Sequence, residues 1–287
     1  MLSALNFNGA HDHGIDNRED YQVYNYISYL ESHDHRVLLQ KFLPYLQGEA
    51  IFDVGCGTAA FFEEIQKAHY PAQKLIGIES SQILTNKARE KDIAHAEVIC
   101  ASIDAYKLPK DQFDTVTLLS VFHELFSYYT RGKLIEIMDS LSSSLHKGGS
   151  LLIYDGFQYE ERQAILEIQS QKRRELFKRY LTESGYEEAF VPMGNQVICP
   201  VSRALDFIHK STYAESWEHE LPEQYYPLSL SSYYLLLGAL GFRITAVKEF
   251  PELDRIEELS REIQLYDSEG KDLLDIPCNC LIVAEKI

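Results

Sequence analysis

The chain has 287 residues, of which 45% are hydrophobic and 25% are charged, a composition typical of a folded globular protein rather than a disordered, fibrous or membrane one. Its formal net charge of −17 disfavours nucleic-acid partners, because affinity for a polyphosphate rests on Lys and Arg side chains that neutralise phosphates. No run approaches the roughly 18 consecutive apolar residues of a membrane span, and the N-terminus has no signal-peptide pattern, so we predict a cytoplasmic protein.

Cysteine and histidine patterns offer two candidate metal sites, and we predict neither. The five cysteines are odd in number and scattered, which does not indicate a disulfide framework. Cys278 and Cys280 share one face of a predicted strand, but no second pair accompanies them, so core packing is favoured. The His-Asp-His tripeptides at 11–13 and 33–35 fit none of the dense structural-zinc spacings, and the second lies in a predicted helix.

Strands and helices alternate through the first half of the chain. Apolar positions three and four apart predict leading helices over about 20–46. The apolar run AIFDV at 50–54 predicts a buried central strand. Further strands are predicted at 74–79, 96–102, 113–120 and 150–155, with helices at 59–68, 81–91 and 131–146. This alternation predicts a parallel sheet whose ligand lies at the carboxyl ends of the strands.

The regular alternation of predicted strands and helices ends after Asp155. A long charged helix is predicted over about 159–184, and its basic run at 171–180 has the spacing of a solvated helix face. An aromatic-rich stretch continues to Tyr226, and strands at 242–250 and 278–287 close the chain. We therefore predict an α/β fold, a doubly wound Rossmann-like sheet of about seven strands with N-terminal helices and a helical insertion after the fifth strand. The predicted parts are an N-terminal helical cap (1–47), a cofactor-binding core (48–156), an insertion acting as a substrate lid (157–228) and the rest of the core sheet (229–287).

The segment DVGCGTAA at 53–60 lies directly between a predicted strand and a predicted helix. Gly55 and Gly57 allow a tight turn and a close approach of backbone to ligand, and the helix start offers unpaired N–H groups. A tight turn without ligand is the alternative when such a match stands alone. In this chain, acidic residues also follow the second and third predicted strands, so the glycine pattern does not stand alone.

Glu79 ends the second predicted strand, where a carboxylate can accept hydrogen bonds from both hydroxyls of a ribose. Ser102, Ile103 and Asp104 follow the third strand, where they can meet the face and the exocyclic amine of adenine. A nicotinamide dinucleotide is the competing ligand, because Gly55, Gly57 and Ala60 also satisfy its glycine pattern. A carboxylate at Asp53 disfavours a pyrophosphate and suits a cationic ligand.

DVGCGTAAF resembles motif I of the class I S-adenosylmethionine (SAM)-dependent methyltransferases, and Glu79, Ser102-Ile103-Asp104 and FDTVTLLSVFHEL resemble their later motifs. The resemblance covers about 45–155 and returns at 229–287. It implies an antiparallel last strand, SAM as cofactor and S-adenosylhomocysteine (SAH) as product. The implied cofactor contacts are Asp53, Gly55, Cys56, Gly57 and Ser120 around the methionine, Glu79 and Ser80 at the ribose, and Ser102, Ile103 and Asp104 at the adenine. Ala59 departs from the glycine common there, and we expect an altered loop that still binds.

The sequence gives fewer signals for the residues that would bind the methyl acceptor than for those that would bind the cofactor. His123 follows the fourth strand, where a base can take a proton from the acceptor, and a structural histidine is the equal alternative. Aromatic residues that can wall a substrate pocket are Tyr21, Tyr24, Trp217 and Tyr225, although core packing is their commoner role.

We predict methyl transfer to an oxygen, nitrogen or carbon nucleophile of a small-molecule acceptor, by a monomer or homodimer that contacts no membrane. The alternatives are a protein or RNA methyltransferase, a regulatory SAM-binding module without catalysis, and a nicotinamide oxidoreductase.

Overall fold

The computed structural model describes residue 16 and residues 20–159, 162–251 and 259–287, with the backbone alone at 20, 21 and 251. The chain divides into two compact units. The described part of unit 1 lies in 16–154, 234–247 and 282–287, and unit 2 comprises 155–233 and 248–281.

Helices precede and separate the strands of unit 1. They are α1 (Asp20–Leu30), α2 (His33–Gln40), α3 (Ala60–Lys67), α4 (Gln82–Arg89), α5 (Phe122–Tyr128) and α6 (Arg131–Ser144), with a short 3-10 helix at Leu43–Tyr45. A serine or threonine is the N-cap residue of three of these helices. The side chains of Ser32, Ser81 and Thr130 each accept a hydrogen bond from the backbone amide three residues later. Such caps satisfy amides that have no partner inside the helix.

The main sheet has the strand order β10-β12-β5-β4-β1-β2-β3. Its strands are β1 (Ala50–Val54), β2 (Lys74–Glu79), β3 (Ala96–Cys100), β4 (Phe113–Leu119), β5 (Leu145–Gln158), β10 (Phe242–Pro251) and β12 (Pro277–Lys286). The first five are parallel, and the last strand is antiparallel. This confirms the predicted fold class, a doubly wound α/β sheet of about seven strands.

β1 is the strand at which the order reverses, because it pairs with β2 on one side and with β4 on the other. In open parallel sheets the crevice outside such a switch point is where ligands bind. β1 is buried along most of its length because its apolar side chains are covered on both faces of the sheet. The loops that follow β1 and β4 therefore meet at the position that the topology favours for a ligand.

The prediction of one long helix over 159–184 is wrong. Gln163–Ile168 forms a strand, β6, and α7 begins at Gln171 and ends at Glu183. Ala164, Leu166 and Ile168 are buried on alternate positions, which is the period of a strand rather than of a helix. Ser170 then caps α7 through a hydrogen bond from the amide of Arg173.

The insertion is therefore helical only in part. It contains α7, α8 (Val201–Thr212), α9 (Trp217–Glu220) and two 3-10 helices (Glu187–Ala189 and Ala214–Ser216), but also strands β7 (Val191–Met193), β8 (Gln196–Pro200) and the two-residue β9 (Leu228–Ser229). β9 pairs with the end of β5, and α10 (Leu230–Ala239) follows it. A second, antiparallel sheet of order β11-β6-β8-β7 includes β11 (Ile263–Tyr266).

Unit 2 has its own hydrophobic core. Buried side chains of β6, α7 and α8 pack together, and Phe177 stacks edge-on against Phe190 and Phe207. Lys210 and Asp206 form a buried ion pair of 2.6 Å among these side chains. The hydroxyl of Tyr180 donates a hydrogen bond to the carboxylate of Asp206. In the part of the chain that the structure describes, no helix is long and apolar enough to cross a membrane.

Candidate active site

The loop after β1 turns sharply at glycine. Gly55 and Gly57 have φ angles of +66° and +55°, in the left-handed region that glycine adopts without strain. The amides of Gly55 and Cys56 both donate to the carbonyl of Ile78, at 2.9 and 3.1 Å. A Cβ at Gly55 would come within 2.8 Å of the Val121 side chain. The loops after β1 and β4 therefore approach each other so closely that only glycine fits.

Ala59 ends this loop in the same left-handed region, with a φ of 57°. An alanine there costs about 1–2 kcal/mol that a glycine would not. The backbone thus keeps a glycine-type conformation at the position where the residue departs from the family pattern.

Asp53 is a buried carboxylate on the central strand. Thr117, its partner in the β1–β4 register, donates a hydrogen bond of 2.5 Å to Asp53 Oδ1. Burial, and secondarily the nearby charge of Glu79, raise the pKa of Asp53 to about 7 despite that hydrogen bond. A cation placed nearby would favour the ionised form, because opposite charges stabilise each other in a poorly solvated site.

Glu79, at the end of β2, holds two loops with one carboxylate. Its Oε2 accepts from the amide of Gly57 at 3.0 Å, and its Oε1 accepts from the amide of Ser81 at 2.9 Å. The exposed Ser80 hydroxyl lies 3.5 Å from Oε1. Burial raises the pKa of Glu79, although these hydrogen bonds oppose the effect. Oε2, which accepts from Gly57, keeps a further lone pair with which it can accept a hydrogen bond from a ligand.

Asp104 follows β3 and is exposed, while Ser102 and Ile103 beside it are half-buried. Ser102 Oγ donates to Asp104 Oδ1 at 2.5 Å, and the hydroxyl of Tyr129 donates to the same oxygen at 3.0 Å. Burial alone would raise the pKa of Asp104, but these hydrogen bonds outweigh it and lower the pKa. Asp104 is therefore an ionised hydrogen-bond acceptor at neutral pH.

Two predicted residues follow β4. Ser120 is exposed, has a φ of 56°, and its amide donates to the carbonyl of Tyr154 at 2.7 Å. His123 is the second residue of α5 and is buried. Both lie on the segment that carries Val121, the side chain against Gly55. The structure thus brings the residues after β1 and β4 together, and the catalytic role of His123 stays a prediction.

An N-terminal residue contacts the loop that follows β2. The carboxylate of Asp16 accepts hydrogen bonds from the Ser81 hydroxyl and from the amides of Gln82 and Ile83 at the start of α4. Burial would raise its pKa, but these hydrogen bonds lower it. Nothing in the local sequence around Asp16 indicates this contact, because its partners lie more than 60 residues away.

The junction of α1 and α2 contacts the loop after β1. Leu30 lies 3.3 Å from the position that a Cβ of Gly57 would take. Glu31 accepts from the Thr58 hydroxyl at 2.5 Å and pairs with Arg36 and Lys91 at 2.5 and 2.6 Å. The N-terminal segment is therefore joined to the loops after β1 and β2 by the carboxylates of Glu31 and Asp16, which no local sequence pattern indicates.

The four predicted aromatic contacts belong to different parts of the chain. Tyr24 on α1 is 71% exposed, and the Tyr21 side chain lies outside the described part of the structure. Trp217 and Tyr225 belong to unit 2, where Trp217 is buried and its Nε1 donates to Glu183 at 3.0 Å. The Tyr225 hydroxyl donates to Glu220. Their contact with an acceptor stays a prediction.

The remaining sequence candidates are two cysteines, two His-Asp-His tripeptides and the basic run of α7. Cys278 and Cys280 are buried, and the described residues contain no group of three or more His, Cys, Asp or Glu that could hold a metal ion. The tripeptide at 33–35 begins α2, and the one at 11–13 lies outside the described residues. In the basic run, Arg173 pairs with Glu262, Lys178 with Glu175, and Arg179 with Glu183 and Glu218.

The donor and acceptor chemistry at this edge fits a nucleoside that carries an amino-acid group, such as SAM. Asp53, Glu79 and Asp104 stand at or near the carboxyl ends of three adjacent strands, and carboxylates accept hydrogen bonds from hydroxyls, amines and ammonium groups. The same three carboxylates would repel a pyrophosphate. Gly55 and Gly57 also let the backbone of this loop turn sharply beside the Val121 and Leu30 side chains.

Comparison with known proteins agrees with this chemistry. Residues 51–149 match the model of the family described as a methyltransferase domain. The matched span contains the glycine loop and all three carboxylates. No curated protein sequence matches the chain.

Solved structures share the fold at low sequence identity. An S-adenosylmethionine-dependent methyltransferase from Mesorhizobium loti is 19% identical with a TM-score of 0.53, covering 90% of this chain and 100% of that one. One from Archaeoglobus fulgidus is 15% identical with a TM-score of 0.51, covering 93% and 100%. The plantazolicin methyltransferase, in complex with a triazolic desmethylPZN analog and SAH, is 16% identical with a TM-score of 0.51, covering 93% and 90%.

Proposed function

We propose that this chain is a class I SAM-dependent methyltransferase that transfers a methyl group to an oxygen, nitrogen or carbon nucleophile of a small-molecule acceptor; the matched methyltransferase domain and the shared fold support this. One observation carries the proposal. Three carboxylates, Asp53, Glu79 and Asp104, follow one another along the carboxyl edge of β1, β2 and β3, and each has acceptor chemistry that suits a different part of the cofactor.

The proposed cofactor contacts divide by the part of the ligand that they serve. The methionine end meets Asp53, Gly55, Cys56, Gly57 and Ser120; the ribose meets Glu79 and Ser80; and the adenine meets Ser102, Ile103 and Asp104. Bound SAM supplies an electrophilic methyl group on a positively charged sulfur, and SAH is the product. Burial raises the pKa of Asp53 to about 7, and a positive charge close to that carboxyl would favour its ionised form, which supports a cationic partner.

Methyl transfer requires alignment of the acceptor, the methyl carbon and the sulfur, together with exclusion of water. The acceptor lone pair forms the new bond to carbon while the carbon–sulfur bond breaks and its electron pair returns to sulfur. A hydroxyl or ammonium acceptor also loses a proton, and we assign that proton to the imidazole of His123. The buried position of His123, two residues after the Val121 contact with Gly55, supports the assignment.

A small acceptor is favoured over RNA by the charge of the protein. The net charge is −17, and three cations of the basic run are paired with glutamates. Cations engaged in this way offer little neutralisation to a phosphate backbone. We assign residues 157–228 as the part that selects the acceptor, with Tyr21, Tyr24, Trp217 and Tyr225 as its aromatic contacts.

Transfer of a radiolabelled methyl group tests the proposal. The protein is incubated with methyl-labelled SAM and a cell extract separated into small molecules, proteins and RNA. We expect label to enter the small-molecule fraction, and we expect His123→Asn to slow transfer about 100-fold or more while the affinity for SAH stays within about twofold. His146→Asn, an exposed histidine of β5, is the matched control. Label confined to protein or RNA would contradict the acceptor class, and SAH binding with no transfer to any fraction would favour a regulatory module.

A further inference from the structure

Tyr129 completes a triangle of hydrogen-bonding groups with Ser102 and Asp104. Its hydroxyl lies 3.0 Å from Asp104 Oδ1 and 2.9 Å from Ser102 Oγ, and Ser102 Oγ lies 2.5 Å from the same Asp104 oxygen. Tyr129 follows α5, whereas the other two residues follow β3, so 25 or more positions of sequence separate them. No local pattern predicts this contact.

Both hydroxyls lie within hydrogen-bond distance of one oxygen of the carboxylate. Each hydroxyl has a single hydrogen, and Ser102 and Tyr129 both donate to Oδ1. Among the described residues, no side chain donates to Oδ2. The two hydroxyls therefore fix the carboxylate through one oxygen and leave the other to a ligand.

The protonation state of Asp104 determines which ligand groups it can bind. The hydrogen bonds from Ser102 and Tyr129 overcome the opposing effect of burial and keep its pKa low. An ionised carboxylate has acceptor sites only. It can therefore bind the amino group at position 6 of a purine, and it repels a carbonyl oxygen at the same position.

The backbone of Tyr129 is held independently of its hydroxyl. Tyr129 is the C-cap of α5, and its amide donates to the carbonyl of Leu125 at 3.2 Å. At the other end of α5, Val121 is the N-cap residue whose side chain lies against Gly55. The ring position is thus set by the helix, so that a phenylalanine at 129 removes the hydroxyl and keeps the packing.

We propose that Tyr129 is a positioning residue for base selectivity: it orients Asp104 so that the site accepts 6-aminopurine and rejects 6-oxopurine cofactors. The inference rests on the proposed function, because it assigns the adenine to Asp104. It adds a residue of α5 to the determinants of cofactor specificity.

Calorimetric titration with two ligands tests this role. The probes are SAH and S-inosylhomocysteine, in which a carbonyl group replaces the amino group at position 6 of the purine and N1 carries a hydrogen. We expect the native protein to prefer SAH by at least about 100-fold, since a site built around a donor rejects an analogue that lacks it. Tyr129→Phe should weaken SAH about tenfold and change S-inosylhomocysteine by less than about twofold, as loss of a charge-assisted hydrogen bond predicts.

Two further variants complete the design. Tyr106→Phe removes a hydroxyl close in sequence to Asp104 that does not donate to it, and it should keep the native preference. Asp104→Asn offers both an acceptor and a donor, so the preference should collapse even with Tyr129 in place.

The outcomes separate the inference from the proposed function. Equal weakening of both ligands by Tyr129→Phe would make Tyr129 merely structural and overturn the inference, as would a native protein that binds both ligands alike. A folded native protein that binds neither ligand would overturn the proposed function and the inference with it.

Discussion

The backbone amide of Gly57 donates a hydrogen bond of 3.0 Å to the carboxylate of Glu79. This contact joins the glycine loop after β1 to the end of β2, and the other Glu79 oxygen accepts from the amide of Ser81. One side chain therefore shapes both loops before any ligand arrives. The residue assigned to the ribose is also a structural residue of the site.

Glu79→Gln should damage stability and cofactor binding together. Both carboxylate oxygens accept from backbone amides, so a glutamine must place its NH2 group against one of these donors. We expect a loss of about 1–3 kcal/mol in the free energy of unfolding and at least about tenfold weaker SAH binding. Urea denaturation and calorimetry measure the two effects.

The control for this prediction is Glu97→Gln, an exposed glutamate on β3. It should change neither quantity, because surface substitutions away from such contacts stay within about 0.5 kcal/mol. A Glu79→Gln variant as stable as the native protein would contradict the structural role of the carboxylate.

Asp53 should make the ligand-free protein less stable as pH rises. Burial raises its folded-state pKa to about 7 from an ordinary value of 3.8, so the folded state holds a proton that the unfolded chain releases between those values. Stability from this group is therefore greatest at low pH and is lost as the pH rises toward 7, by up to about 4 kcal/mol.

Asp53→Asn removes that titration. Its free energy of unfolding relative to the native protein should rise steadily between pH 4.5 and pH 7.5, whatever constant offset the buried amide introduces. Guanidinium unfolding at several pH values measures this difference. A difference that does not change with pH would show that Asp53 has an ordinary pKa.

Cofactor binding should release a proton near neutral pH. A ligand with an ammonium group beside Asp53 binds the ionised carboxyl, so the affinity for SAH should fall below pH 7 and approach a tenfold loss per pH unit, about 1.4 kcal/mol. Calorimetry in buffers of different ionisation enthalpy counts the proton. Asp53→Asn should bind more weakly and show a flatter pH dependence, and the same dependence in both proteins would place the titrating group elsewhere.

Cys100 provides a probe of the site that needs no change to the binding residues. It is the one half-buried cysteine, the other four being buried, and its Sγ lies 3.9 Å from the carbonyl of Ser80 at the ribose side. We expect a single fast-reacting thiol with a disulfide reagent, slowed severalfold or more by saturating SAH and absent in Cys100→Ser. Equal reactivity with and without SAH would contradict the assigned ligand position.

The core of the fold was predictable because its signals are local. β1 and β2 begin and end where the sequence predicts, since each is a short apolar run flanked by polar residues or glycine. The structure of the insertion was not predictable in the same way, because only two residues separate the strand Gln163–Ile168 from the charged helix that follows it. The alternation in that strand and the cap residue Ser170 are the signals that separate it from the helix, and the prediction of one helix does not use them.

The site was predictable to the extent that its residues follow strands. The loop at 55–57, Glu79 and Asp104 were found from their positions after predicted strands. Thr117, Tyr129 and Glu31 were missed because each acts through a partner 25 or more residues away. Such contacts depend on the register of the sheet and the packing of helices, which one sequence does not display.

Titration of the folded native protein with SAH and with NADH tests the central claim most directly, namely that the carboxylates at the ends of β1 and β2 and near the end of β3 hold a nucleoside that carries an amino-acid group. The account predicts one SAH site of micromolar affinity, weakened at least about tenfold in Glu79→Gln and unchanged in Glu97→Gln, with no measurable NADH binding. Tighter binding of NADH than of SAH, or no binding of SAH by the folded protein, would contradict it.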